Sequence, residues 1–267
     1  MSLERTYAVA LRHFYLIKGS FSRVLPLFVW VTIDIVLWGF ITKYLNHVTG
    51  TGLDFVPRML GAVLLWDFFI RILQGVTMAF LEDVWSRNFL NVFSSPLTIP
   101  EYLGGLVIST IATSAVGLVF MLVLAMLAFG LNFFAYGMLL YPFMLTLFLF
   151  GIAIGILGCA VVLRFGPASE WFVWPIPAML APFAGVFYPL STLPHWMQWF
   201  SYLVPPSFVF EGMRAVASNG TIDPGMLALA VGETVLYVLL SCWVFTRVYR
   251  HALRTGLIAR YSAESLS

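Results

Sequence analysis

The segment FYPLSTLPHWMQWFSYLVPP, residues 187–206, is apolar enough to enter a bilayer and yet carries prolines at 189, 194, 205 and 206. A helix accepts Pro194 in its first turn and must end before Pro205, which leaves only residues 193–203 free to coil. At 1.5 Å per residue that is about 15 Å, half the hydrocarbon thickness, so this helix does not cross. A second short helix, from Ser207 to about Ala217, follows the Pro-Pro corner and leads into a polar SNGTID loop. Two readings stand. Either the pair at 191–217 dips into the outer leaflet and returns, with protein or a water-filled cavity covering its broken backbone, or it is a cap lying flat on the surface.

The rest of the chain sets the class. Of its 267 residues, 61% are hydrophobic and 10% charged, and the mean hydropathy is +0.95, whereas a soluble domain is about one quarter charged. The fold class is therefore an all-α polytopic membrane protein, with residues 1–267 read as one transmembrane domain. Runs near the roughly 20 residues needed to span lie at 24–43, 57–81, 102–129, 136–163, 171–190 and 224–246, giving six expected transmembrane helices. The fifth climbs through Pro175, Pro177 and Pro182. Ahead of them, Leu3, Tyr7, Ala10, Leu11, Phe14, Ile17 and Phe21 form one helical stripe opposite Arg5 and Arg12, so 3–21 reads as an interfacial helix whose Lys18 snorkels. The first apolar run starts late and lacks an A-x-A end, so no cleaved leader is expected.

Charge placement orients the spans. With both termini inside, ten basic residues fall on the cytoplasmic side (Arg5, Arg12, Lys18, Arg23, Arg87, Arg164, Arg247, Arg250, Arg254 and Arg260) and three outside (Lys43, Arg58 and Arg214), a positive-inside bias. The net charge of +2 gives no argument for nucleic acid as a partner. Cys159 and Cys242 sit in apolar runs and carry no disulfide or metal argument. The first cytoplasmic loop, LEDVWSRNFLNVFSSPLTIPEYL (81–103), has a charged start, an apolar middle and a proline stop, which reads as a short helix along the membrane over 83–97 or as a plain interfacial turn.

Catalytic chemistry finds little support. His13, His47, His195 and His251 lack metal-ligand spacing, and there is no G-x-S-x-G elbow. The only lysines, Lys18 and Lys43, are followed by Gly19 and Tyr44, so no P-loop exists. The ionisable residues within spans are Asp34, Asp67, Arg71 and Glu233. Each costs about 2.5–3.5 kcal/mol at mid-bilayer on insertion scales and therefore faces protein or a cavity. Asp67 and Arg71 are spaced to neutralise each other along one helix, whereas Asp34 and Glu233 either meet a polar group across the bundle or line a wet route. The GIAIG spacing of Gly151–Gly155 reads as helix packing within the subunit. Trp171, Trp174, Trp196 and Trp199 suit interfacial belts and could also stack on sugars.

The interfacial helix, the six spans, RNFLNVFSSPLTIPEYLGGLV after the second and GVFYPLSTLPHWMQWFSYLVPPSFVFEGMRAV before the last together resemble a bacterial ABC-2 type transport permease, over essentially the whole chain. The resemblance implies the membrane subunit of an ATP-driven exporter in the bacterial cytoplasmic (inner) membrane. It implies a permease homo- or heterodimer bound to two cytoplasmic ABC ATPase subunits, which hold the ATP and Mg while this chain has no cofactor of its own. It also implies that Arg87, Asn88, Phe89, Leu90, Val92, Phe93 and Pro96 belong to a coupling helix docking on the ATPase. The broken pair, with Tyr188, Pro189, Pro194, Trp196, Pro205 and Pro206, would form an outer gate region. A secondary transporter is the alternative, but it would show matching broken helices in both halves, and only the C-terminal half has them.

Overall fold

The computed structural model describes residues 2–49, 59–86, 91–92, 95–131, 137–218 and 224–257, which form helices and turns with no strand among them. In chain order these are α1 (Leu3–Lys18), α2 (Phe21–Val24), α3 (Pro26–Thr49), α4 (Gly61–Trp85), α5 (Ile99–Phe129) and α6 (Leu140–Phe165). There follow α7 (Glu170–Val173), α8 (Ile176–Ala184), α9 (His195–Ser201), α10 (Pro206–Ala217) and α11 (Pro224–Arg254). Among the described residues five helices are long and apolar enough to cross a membrane: Phe21–Val48, α4, α5, Gly137–Phe165 and α11.

α4 and α6 form the centre, because their apolar windows are 61% and 72% buried against 18%, 22% and 17% for the other three. Lipid tails are as apolar as leucine and do not drive helices together, so close packing has to. A Cβ added at Gly155 would come within 2.9 Å of the Leu73 carbonyl oxygen, and one at Gly151 within 2.9 Å of Ile72 Cβ. The GIAIG glycines therefore seat α6 on α4, and Thr77 Oγ1 donates across the contact to Gly155 O at 3.3 Å. Phe69 stacks on Phe150, with ring centroids 5.6 Å apart.

These pairs ascend together along α4 and α6, so the two helices run parallel. α11 runs the same way: Tyr237 meets Phe150 on α6, and Phe245 meets Phe80 further along α4. The chain between Gly166 and Pro224 must therefore return to the starting end of the bundle. It does not do so through the single helix expected over 171–190. α7 ends at Val173, Trp174 and Pro175 form a turn, α8 carries Pro177 and Pro182, and Gly185 closes it in the left-handed conformation at φ +64°. The closely spaced prolines remove successive backbone donors, and the helical path over 170–184 is only about 22 Å long.

Other boundaries differ from the sequence reading for identifiable reasons. α5 begins at Ile99 rather than 102, because Thr98 and Glu101 form a capping box with Pro100 in the first turn. Pro100 starts a helix rather than stopping one. α1 breaks at Gly19, and its arginines find partners: exposed Arg5 bonds Pro96 O, and half-buried Arg12 bonds Asp83. α11 continues past residue 246 to Arg254, with Arg247 over the Trp243 ring at 5.1 Å.

Substituting Gly155→Val is expected to overpack the α4–α6 contact and destabilise the protein by about 1–3 kcal/mol. Gly232→Ala, where an added Cβ meets nothing within 4 Å, is expected to be neutral or stabilising by up to about 1 kcal/mol. Thermal unfolding of the two variants in detergent, followed by near-UV circular dichroism, checks the contrast.

Candidate functional site

α3 leans on α5 rather than on α4: an added Cβ at Gly39 would collide with the Phe129 ring, and Phe28 meets Phe120 edge-on at 5.0 Å. The space left between α3 and α4 is a cavity of about 420 Å³, floored by α5 and bordered by α1, α2 and Trp174. It follows α4 from Glu82 to Asp67, about 22 Å of helix. Asp34, Asp67 and Arg71 lie in it together, with Gln74, Thr110 and Thr113. Asp67 is close enough to both Asp34 and Arg71 to interact electrostatically with each. The Arg71 guanidinium reaches across to α5, where a Cβ at Gly117 would come within 2.6 Å of its Cζ. Two wall atoms, Asp67 Oδ2 and Thr110 Oγ1, are buried without a hydrogen-bond partner among the described residues. Glu233 is not part of the site; it lies on α11 within electrostatic range of Tyr237.

At the α1 end of the bundle the charges are held differently. Asp83, 1% exposed, accepts bonds from Arg12 and from the Tyr102 hydroxyl, the latter at 2.8 Å. Glu101 accepts from the backbone of Ser2 at 2.5 Å and of Thr98 at 2.9 Å, and Arg5 lies 3.9 Å from it. Arg23 Nε donates to Glu82 at 2.6 Å. Buried His13 places one ring nitrogen 3.0 Å from Val9 O within α1 and the other 3.0 Å from Ala79 O on α4. Val9 and Thr6 close onto α5 where Gly105 leaves room. The amphipathic helix is thus fastened to the ends of both α4 and α5.

Of the expected docking residues, Arg87, Asn88, Phe89, Leu90 and Phe93 lie outside the described residues. Val92 and Pro96 are described and, with Arg5, Arg12 and Leu97, border an open groove of about 410 Å³ between α1 and this loop. Through Pro96 O, Arg5 connects the loop directly to α1.

The residues expected at the outer gate separate into two environments. α10 is seated in the bundle, with Phe210 fully buried and 6.0 Å from Trp66. α9 exposes Trp196, Trp199 and Phe200. Tyr188 donates to Pro182 O at 3.2 Å, Pro194 caps α9, and Pro205 and Pro206 make the buried corner into α10. A polar latch holds the approach to this pair: Arg214 donates to Gly185 O at 2.7 Å and to Glu211 at 2.9 Å, and Glu211 accepts from Leu190 N at 2.7 Å.

The sequence reading did not single out Glu101, Asp83, Tyr102, Glu211 or Arg214 as site residues. Glu101 carried a readable signal, the T-x-x-E capping pattern at 98–101. Glu211 and Arg214 sit at helical i,i+3 spacing within an apolar segment. The Asp83–Tyr102 bond depends on tertiary packing and had none.

A polytopic helical bundle that encloses a charged, open-sided cavity has the construction of a membrane transport subunit. The chain belongs to the ABC-2 type transporter family, whose model matches residues 9–217, from α1 through α10. It is an integral membrane protein and the permease subunit of an ABC transporter. No curated protein matches the chain.

Arg12→Ala leaves the buried Asp83 carboxylate with Tyr102 alone and is expected to cost about 1–3 kcal/mol. The double variant Arg12→Ala/Asp83→Asn should recover much of that loss. Hydrogen exchange across α1 and thermal unfolding in detergent measure both changes.

Proposed function

We propose that this permease works as one half of an exporter, a homo- or heterodimer driven by two ATPase subunits bound at the α1 end. That end faces the cytoplasm on the positive-inside pattern, since Arg5, Arg12, Arg23, Arg164, Arg247, Arg250 and Arg254 gather there. Hydrolysis and its Mg and ATP belong to the partner, because the chain lacks a phosphate-binding loop. The observation that carries the reading is the set of bonds that joins α1 to the ends of α4 and α5 beside Pro96. Arg5 on Pro96, Arg12 and Tyr102 on Asp83, and Glu101 on Ser2 and Thr98 bind α1, Pro96 and the two helices that wall the cavity into one unit.

The mechanism follows from that connection. ATP binding closes the ATPase pair and pushes on the loop; these bonds prevent Pro96 from moving alone, so the push tilts α4 and α5. Tilting α4 changes the cavity, because α3 leans on α5 and the Asp67–Arg71 wall belongs to α4. At the other end α10 rests on Trp66 of α4, so the same motion reaches the broken pair and opens the outer side. The mixed apolar and charged walls suit an amphiphile, which leaves lipid-like, drug-like and glycan-bearing cargo as the range of substrates.

Phe89→Asp/Phe93→Asp should abolish transport and copurification with the ATPase while the chain still inserts in the membrane. Unchanged ATPase capture in a pull-down would remove the docking role of this loop.

A further inference from the structure

The cavity can be asked what it would hold, and its charge gives a first answer. At its α1 end Arg23 and Glu82 neutralise each other at 2.6 Å, and the His13 ring lies between the carbonyl oxygens of Val9 and Ala79. Deeper in, two carboxylates, Asp34 and Asp67, face one guanidinium, Arg71. The deep part of the cavity thus holds two carboxyl groups to one guanidinium, and a cation bound between the carboxyls would favour the charged form of both.

Two further observations point to a ligand. Thr110, only 2% exposed, lines the cavity with a hydroxyl that has no partner among the described residues, as does Asp67 Oδ2. Trp30 and Asp34 stand one turn apart on the same side of α3, and Trp174 lines the same cavity from the turn after α7, so indole surface borders it. Aromatic faces attract cations within about 6 Å.

The geometry points to a binding site for the cationic head of an amphiphile, held between Asp34 and Asp67 with its apolar part along Trp30 and Trp174. Thr110 supplies a hydrogen bond to the head, and Arg71 sets the limit on how much positive charge the site accepts. This deepens the permease reading by naming a substrate chemistry. The same chemistry is met by an exported hydrophobic amine or by a resident lipid with an amine headgroup.

The test is equilibrium dialysis of tetraphenylphosphonium against the purified chain in nonionic detergent, with tetraphenylborate as the anion of the same shape. Saturable binding of the cation alone is expected, weakened about tenfold or more by Asp34→Asn and by Asp67→Asn. Arg71→Gln should tighten it severalfold, a change of sign that misfolding does not imitate. Equal binding of the borate, insensitivity to both Asn variants, or weakening by Arg71→Gln overturns the site. Lipid extracted from the protein separates the two sources: an amine-headgroup lipid displaced by the phosphonium is a resident occupant, and none displaced marks a transported one. Because binding needs no ATPase, an ATPase pull-down scores the permease reading independently. Capture of the ATPase without cation binding removes the site alone, and cation binding without capture removes the coupling alone.

Discussion

The distance between α4 and α6 sets the rest of this bundle. Inside a bilayer there is no water for apolar side chains to escape, so helices stay together through dispersion and through the few hydrogen bonds that short distances allow. Gly151, Gly155 and Gly158 bring α6 onto the backbone of α4, near enough for Thr77 to bond across. α11 then packs on α6 and α5 on α4, while α3 attaches to α5. The cavity follows from that order of attachment, because α3 packs along α5 and touches α4 at few points.

Near the α1 end Glu82, Asp83 and Glu101 have each found donors, and Glu101 alone gathers two backbone N–H groups. Deeper in, Asp67 and Thr110 keep buried atoms without partners. A buried polar atom left unsatisfied costs about 1–3 kcal/mol, and such costs persist where function needs the group available. The first set fastens α1 to α4 and α5, and the second leaves unpaired polar atoms in the cavity wall.

Much of this was readable in the residues. Apolar runs near 20 residues gave the long helices, because span length is fixed by the hydrocarbon and not by tertiary context. The prolines of 187–206 gave the short helices α9 and α10 for an equally local reason. The return path over 171–190 was harder, since apolar composition alone does not reveal that Pro175, Pro177 and Pro182 together with Gly185 divide it. Asp34, Asp67 and Arg71 stood out as charges in apolar runs, yet their meeting depends on how α3 leans, which no local pattern encodes. Periodicity placed Arg12 opposite the apolar stripe of its helix, and the structure pairs it with Asp83, a partner 71 positions away. Periodicity identifies a face; what the face meets is decided by packing.

α11 runs from Pro224 to Arg254, about 46 Å at 1.5 Å per residue, against a hydrocarbon slab of about 30 Å. Its surplus length ends in Arg247, Arg250 and Arg254, at the same level as Phe80 and the bonds of α1. Arginines at a helix end favour the headgroup level, so a helix of this length fits a thinner bilayer by leaning rather than by sinking. Membrane thickness thereby becomes an input to the permease: lipids that alter the lean of α11 also alter the surface against which α6 stands.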